Sequence, residues 1–265
     1  MSVNPKIQQA ASSLANQHMN KQLYILEDRL IPSDINEAYL IQREYQKHIS
    51  KTQGAIAGYK LAMTTSASQA SNGVSEPCLG LMLDSNIRSS PCTLEAAGFV
   101  QLGIECEVAV HLGADLLEAG APYDRKMVSE AIDSLSTAFE VVDIRRSPGM
   151  EPKDQFITGV AANVYNEGVV LGEPVKHWRD LDLPAAYGSM TINGEMVGDG
   201  HGSDVMGHPL EPLAWLANKL ADQGFGLSAG MVIITGSIVS PKPLKVGDSA
   251  SIMIEGLGGA EIRVI

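Results

Sequence analysis

The spacing of apolar residues changes character once, near residue 56. Over 7–30, Ala, Leu and Met recur at three-to-four-residue intervals until Pro32, as on one face of a helix. Ser33-Asp34 then opens a second helix, with Glu37 in capping-box position three residues after Asp34. Its apolar stripe, Ile35, Tyr39, Ile41 and Tyr45, runs out to His48. From Ile56 the segments 56–63, 99–112, 137–145, 169–172, 187–199, 231–240 and 249–264 are short, β-branched or alternating, and bounded by Gly, Pro or Asp. They read as strands. Asn193-Gly194, between Ile192 and Glu195, predicts a two-residue hairpin turn. Helices are expected over 128–135 and over 210–223, the latter closing on Gly224. The pattern thus predicts an α/β chain of the α+β type, with an N-terminal helical region over 1–55 packed on a β-rich core over 56–265.

Composition narrows the class. In 265 residues, 45% are hydrophobic and 26 are glycine, which suits one large, turn-rich domain and excludes a disordered chain. The three cysteines, Cys78, Cys92 and Cys106, form no C-x-x-C pair, so neither a disulfide framework nor a thiolate zinc site is expected. Asp and Glu outnumber Lys and Arg by 31 to 19, and the net charge of −12 repels a phosphate backbone. No run approaches the roughly 20 apolar residues that cross a bilayer. The start, 1–20, is polar and lacks the apolar core of a signal peptide. A cytoplasmic protein with no nucleic-acid or membrane partner is expected.

The candidate chemistry lies on the predicted strands. In Gly103-Ile104-Glu105-Cys106-Glu107-Val108, strand alternation puts Glu105 and Glu107 on one face, about 7 Å apart along the strand, and Ile104, Cys106 and Val108 on the other. Two such carboxylates mark either a solvated face or oxygen ligands for Mg²⁺, Mn²⁺ or Ca²⁺. In Phe139-Glu140-Val141-Val142-Asp143-Ile144-Arg145, a charge within so apolar a strand needs a partner. One of Glu140 or Asp143 can complete a three-carboxylate site while the other pairs with Arg145. Lys60, alone among apolar neighbours in Gly58-Tyr59-Lys60-Leu61, either snorkels from a strand edge or holds an anionic substrate or moves protons. Gly236-Ser237, after the strand ending at Thr235, can present backbone amides to a carboxylate.

Taken in order, these motifs resemble the fumarylacetoacetate hydrolase superfamily, in its 2-keto-4-pentenoate hydratase and 4-oxalocrotonate decarboxylase branch. The resemblance rests on Gly58-Tyr59-Lys60 with Met63-Thr64-Thr65, Gly73-Val74 with Glu76-Pro77, and Ile104-Glu105-Cys106-Glu107. It continues through Glu140-Val141-Val142-Asp143, Met206-Gly207-His208-Pro209-Leu210, Thr235-Gly236-Ser237 and Glu255-Gly256-Leu257-Gly258, from about residue 30 to the end. It implies a mixed β-roll core behind an N-terminal helical region, a homo-oligomer, and a Mg²⁺ (or Mn²⁺) enzyme acting on 2-keto or 2-hydroxy-dienoic acids in aromatic catabolism. The metal ligands it implies are Glu105, Glu107 and Glu140, which selects Glu140 over Asp143. Lys60 takes the place of the catalytic lysine, and Thr64, Thr65, Asn163, Gly236 and Ser237 follow as substrate-binding candidates. The activity implied is addition of water to a 2-hydroxy-2,4-dienoate. Decarboxylation of a 4-oxalocrotonate-type acid, acylpyruvate hydrolysis and silent keto-acid binding stand as alternatives. The chain departs from the branch at Cys78, Thr158 and Ala162, where acidic residues are usual.

Overall fold

The computed structural model describes residues 4–265; of the expected helical region 1–55, residues 1–3 lie outside the described residues. Helix α1, Pro5–Met19, starts where the Asn4 side chain accepts from the Lys6 amide and Pro5 occupies the first turn. It is shorter than the apolar spacing predicts. The chain leaves the helix after Asn20, and Tyr24 N–H then bonds the Arg145 carbonyl while Ile25 N–H bonds the Gln17 side chain. These long-range partners outbid a further helical turn. Helix α2, Ile35–Gln53, is capped by Asp34, whose carboxylate accepts from the Glu37 amide. Glu37 does not close the capping box onto Asp34; its carboxylate accepts from Ser33 N–H and from Lys6 Nζ, which ties α2 to α1. Leu14 of α1 and Ile41 of α2, both fully buried, join the main hydrophobic core.

Two sheets follow. The first collects β1 (Ile56–Ala62), β2 (Cys78–Leu83), β3 (Ile87–Ser89), β5 (Leu102–Leu112), β6 (Ile132–Asp143), β7 (Asn166–Leu171) and β10 (Val232–Pro243) in the order β2-β1-β10-β5-β6-β7-β3. The second has β4 (Cys92–Leu94), β8 (Tyr187–Ile192), β9 (Glu195–His201), β11 (Ser249–Ile254) and β12 (Gly258–Val264) in the order β4-β12-β11-β8-β9. The sheets meet where β6 packs on β11 and β12 and β10 on β8 and β9. The hairpin predicted at Asn193-Gly194 joins β8 to β9, with both turn residues at positive φ.

Tertiary pairing overrides local spacing at one expected helix. Only Arg125–Glu130 is helical there (α4), and from Ile132 the chain is β6, with Leu135 paired to Val110 along the whole of β5. The C-terminal helix stands at Glu211–Ala221 (α6), followed by Gly224 at φ 77°. Three strands and two helices carry no clear periodic signal: β2, β3, β4, α3 (Ser66–Asn72) and α5 (Pro152–Ala161). Strand β2, with all six residues buried, is apolar throughout and so shows no alternation.

Alternation divides the central sheet into two unlike faces. Ile104, Cys106 and Val110 of β5 face the main core with Leu135 and Phe139 of β6. On the opposite face Met82, Ala109, Ala138, Val169, Val232 and Ile234 form a second, smaller apolar cluster. Beyond it on that same face, the strands turn acidic.

Candidate active site

Strands β5 and β6 run antiparallel with Glu105 opposite Glu140 and Glu107 opposite Ala138. That register sets three carboxylates on one face. One oxygen from each of Glu105, Glu107 and Glu140 lies within 4.8 Å of the others. Glu107 is 0% and Glu140 1% exposed. Asp143, one residue out of phase, points the other way. It accepts from the Val100 and Gln101 amides and pairs with Arg145 Nε at 2.7 Å.

The flanking strands are irregular at this level, and the irregularities aim donors at the carboxylates. Between Ile234↔Ala109 and Ser237↔Glu107, β10 carries one residue more than β5, a β-bulge. Gly236 sits in it at φ 118°, and its N–H donates to Glu107 Oε2 at 2.7 Å. A Cβ on Gly236 would stand 2.0 Å from Thr64 Oγ1, so the approach requires glycine. The Ser237 hydroxyl donates to the Val239 carbonyl and lies beside the Glu105 carboxylate. Lys60, on β1, is 3% exposed and reaches Glu140 Oε1 at 3.1 Å. Asn166 Nδ2 donates to the same oxygen at 2.9 Å.

The electrostatics of this cluster call for positive charge. Burial raises the Glu107 carboxyl well above the usual range, and Glu140 and Glu105 add to it. Burial, then Glu140, pushes Glu105 up to about 7, against Lys60 and Ser237. For Lys60, burial alone would lower the ammonium's pKa; Glu140 and then Glu105 more than reverse that, and the net shift is upward. Lys60 is therefore an ammonium at neutral pH. Glu107 Oε1 is buried without a hydrogen-bond partner. A partnerless carboxylate oxygen facing two further carboxylates fits a hard divalent cation with oxygen ligands and does not fit a zinc site of Cys and His.

The remaining candidates fall around this centre in different roles. Thr64 packs against Gly236, and its carbonyl accepts from Met206 N–H. Thr65 caps α3 in a reciprocal capping box with Ser68. The Gly236 amide does face a carboxylate, but it is the protein's own Glu107. Asn163 spends its carboxamide on β2, accepting from Leu81 N–H and donating to the Leu81 carbonyl. It shapes the wall beside Gly80, which pairs with Lys60. Asn163, Val164 and Tyr165 all hold φ between 51° and 65°, a conformation costing about 1–3 kcal/mol each for residues other than glycine. Cys78 is buried near Lys60; burial pushes its thiol up to about 12 against the pull of Lys60, leaving it neutral and unreactive. Thr158 places a buried, unpartnered hydroxyl on α5. Asn166 carries no sequence signal, because the bulge that turns it toward Glu140 is invisible to alternation.

A curled mixed sheet behind N-terminal helices, with two buried and one half-buried glutamate gathered on one face, defines a candidate metal-dependent enzyme fold. The chain belongs to the fumarylacetoacetate (FAA) hydrolase C-terminal family, whose model matches residues 41–265. It is 33% identical over 231 residues, 86% of each chain, to the 2-hydroxyhexa-2,4-dienoate hydratase of Comamonas testosteroni. It is 31% identical over 229 residues, 86% of this chain and 85% of the other, to the 4-oxalocrotonate decarboxylase of Pseudomonas putida. Its structure is similar to that of the 4-oxalocrotonate decarboxylase from Pseudomonas putida G7 complexed with magnesium and adipate: TM-score 0.90, 28% identity, over 100% of this chain and 99% of that one. Among the described residues, no helix is long and apolar enough to cross a membrane.

Proposed function

We propose that this protein is a divalent-metal-dependent hydratase that adds water to a 2-hydroxy-2,4-dienoate. The observation that carries the reading is the triad of half-buried Glu105 and buried Glu107 and Glu140 with the Lys60 ammonium against it, in a chain similar to a dienoate hydratase. Glu105, Glu107 and Glu140 are the ligands in this reading, and 1–55 serves as a helical support for the catalytic region 56–265. A bound Mg²⁺ or Mn²⁺ would supply Lewis-acid stabilisation to the negative charge that develops on the substrate's carboxylate and 2-oxygen.

The chain's own groups account for the rest. Among the described residues Lys60 is the ammonium paired with the triad, so it either holds the substrate carboxylate or gives a proton to the far end of the diene and regains one as the 2-hydroxyl ionises. Protonation of the far end of the diene gives a 2-keto-3-enoate. Water oxygen then bonds C4 while a proton reaches C3, so the sum is one water added. Cys78, a neutral thiol beside Lys60, brings no competing charge to that wall. The second reading, decarboxylation of a 4-oxalocrotonate-type acid, is favoured by the match over the whole chain to a decarboxylase structure.

The test is to incubate the protein and Mg²⁺ with freshly generated 2-hydroxypenta-2,4-dienoate and with 4-oxalocrotonate. The ultraviolet band of each and release of CO₂ are followed. Loss of the dienoate band without CO₂ supports the hydratase, and CO₂ from 4-oxalocrotonate supports the second reading. EDTA should abolish either activity and Mg²⁺ or Mn²⁺ restore it; full turnover in metal-free protein refutes the metal-dependent reading.

A further inference from the structure

Glu140 differs from its two neighbours in how its oxygens are used. Lys60 Nζ, at 3.1 Å, and Asn166 Nδ2, at 2.9 Å, both converge on Oε1. Neither hydrogen-bonds Oε2. A single donor would orient the carboxylate, so the second calls for an explanation, and its origin is specific. Along β6 and β7 the register runs Glu140↔Val169, Val141↔Gly168, then Val142↔Asn166, so Glu167 is an extra residue in β7. Without this bulge Glu167 would stand opposite Val142, on the face that Val142 shares with Glu140. With it, Asn166 takes that place, and Glu167 turns to Arg145 and His18 on the far side, at 3.4 and 3.3 Å. The fold thereby exchanges an anion for a neutral donor beside the acidic triad.

Resting on the hydratase reading, we propose that Asn166 is a positioning residue for the metal cradle: it holds Glu140 through Oε1 so that Oε2 is presented to the cation, and it keeps that orientation when Lys60 turns to the substrate. A lysine that turns part of its charge and its three N–H donors toward substrate holds Glu140 less firmly. Asn166 carries no charge, is fixed at the start of a strand and is 8% exposed, so it supplies the constant donor. Partners of this kind, which orient a ligand without touching the metal, change affinity by about 10–100-fold when removed.

The experiment measures Mn²⁺ binding by electron paramagnetic resonance in Asn166→Ala and Asn166→Leu, each also placed in Lys60→Met. Asn166→Leu keeps the branched shape and the number of side-chain heavy atoms without a donor, so it reports even if the smaller variant unfolds; circular dichroism on metal-free protein checks the fold. Expected are a Kd for Mn²⁺ raised about tenfold or more in either single variant and a larger rise in the Lys60→Met background, where no second donor remains. In steady-state turnover at saturating Mg²⁺, kcat should fall more than KM rises, because Lys60 becomes the sole partner of Glu140. A folded Asn166→Leu that binds Mn²⁺ like the unsubstituted protein overturns the inference, as does an equal effect with and without Lys60. If the unsubstituted protein binds no Mn²⁺, the metal cradle itself is wrong, which is a distinct result.

Discussion

Gly236→Ala is the substitution whose cost the structure states most directly. The new Cβ would lie 2.0 Å from Thr64 Oγ1, 2.7 Å from its Cβ and 2.8 Å from its Cγ2, all below any real contact distance. Thr64 is 4% exposed and has little room to retreat. Overpacking of this sort costs about 1–3 kcal/mol. The φ of 118° adds about 1–3 kcal/mol for a residue with a Cβ. Together they amount to roughly 2–6 kcal/mol, or a fall in Tm of roughly 4–24 °C at about 2–4 °C per kcal/mol for a domain of this size. The same residue donates to Glu107 Oε2 at 2.7 Å, and displacing that amide should weaken Mn²⁺ binding by about tenfold. The assay is thermal melting of metal-free protein with Mn²⁺ titration of the folded fraction, for Gly236→Ala, Thr64→Gly and the double variant. Thr64→Gly removes all three clashing atoms and leaves the φ strain, so the double variant should recover about 1–3 kcal/mol relative to additivity. A Tm within about 1 °C of the unsubstituted protein, or strictly additive substitutions, would refute the claim that Thr64 and the left-handed backbone together demand glycine.

Glu107→Gln should weaken Mn²⁺ binding at least about tenfold while metal-free protein melts no lower, since an uncharged amide replaces a buried carboxyl that already resists ionisation; a lower Tm with unchanged binding contradicts it. For Lys60, proton transfer predicts a kcat loss of roughly 10²-fold or more in both Lys60→Arg and Lys60→Met, whereas anchoring alone predicts a raised KM in Lys60→Met and near-normal turnover in Lys60→Arg. Glu167 has its carboxyl pushed from 4.5 up to about 8, first by burial and then by Asp143, against Arg145. A group bound more tightly to its proton when folded stabilises fully below pH 4.5 and loses that contribution as pH rises to about 8. Glu167→Gln should therefore gain stability relative to the unsubstituted protein as pH goes from 5 to 8, read as the difference in urea midpoints; a difference that does not change with pH contradicts the burial. His18, lowered to about 4 mainly by burial and then by Arg145, acts oppositely, its contribution being lost as pH falls from 6.5.

Alternation and charge were enough to place much of the site. Two glutamates two apart on a strand must share a face, and Glu140 and Asp143, three apart, must not; alternation left open which of the two joins Glu105 and Glu107, the family resemblance pointed to Glu140, and the β5–β6 register sets Glu140 opposite Glu105 and leaves Asp143 to Arg145. The hairpin at Asn193-Gly194 and the cap at Asp34 rest on backbone preferences that act within four residues. What local pattern could not decide is where neighbouring strands slip. The bulges in β7 and β10 depend on partners 24 and more residues away, yet they turn Asn166 onto Glu140 and the Gly236 amide onto Glu107. The same holds at 128–135, where Leu135 fits a helical spacing until β5 pairs with it, and at 20–30, where the Arg145 carbonyl draws Tyr24 out of a helix. Side-chain alternation is a property of one strand, whereas register is a property of two, and it is register that decides which donor meets each carboxylate.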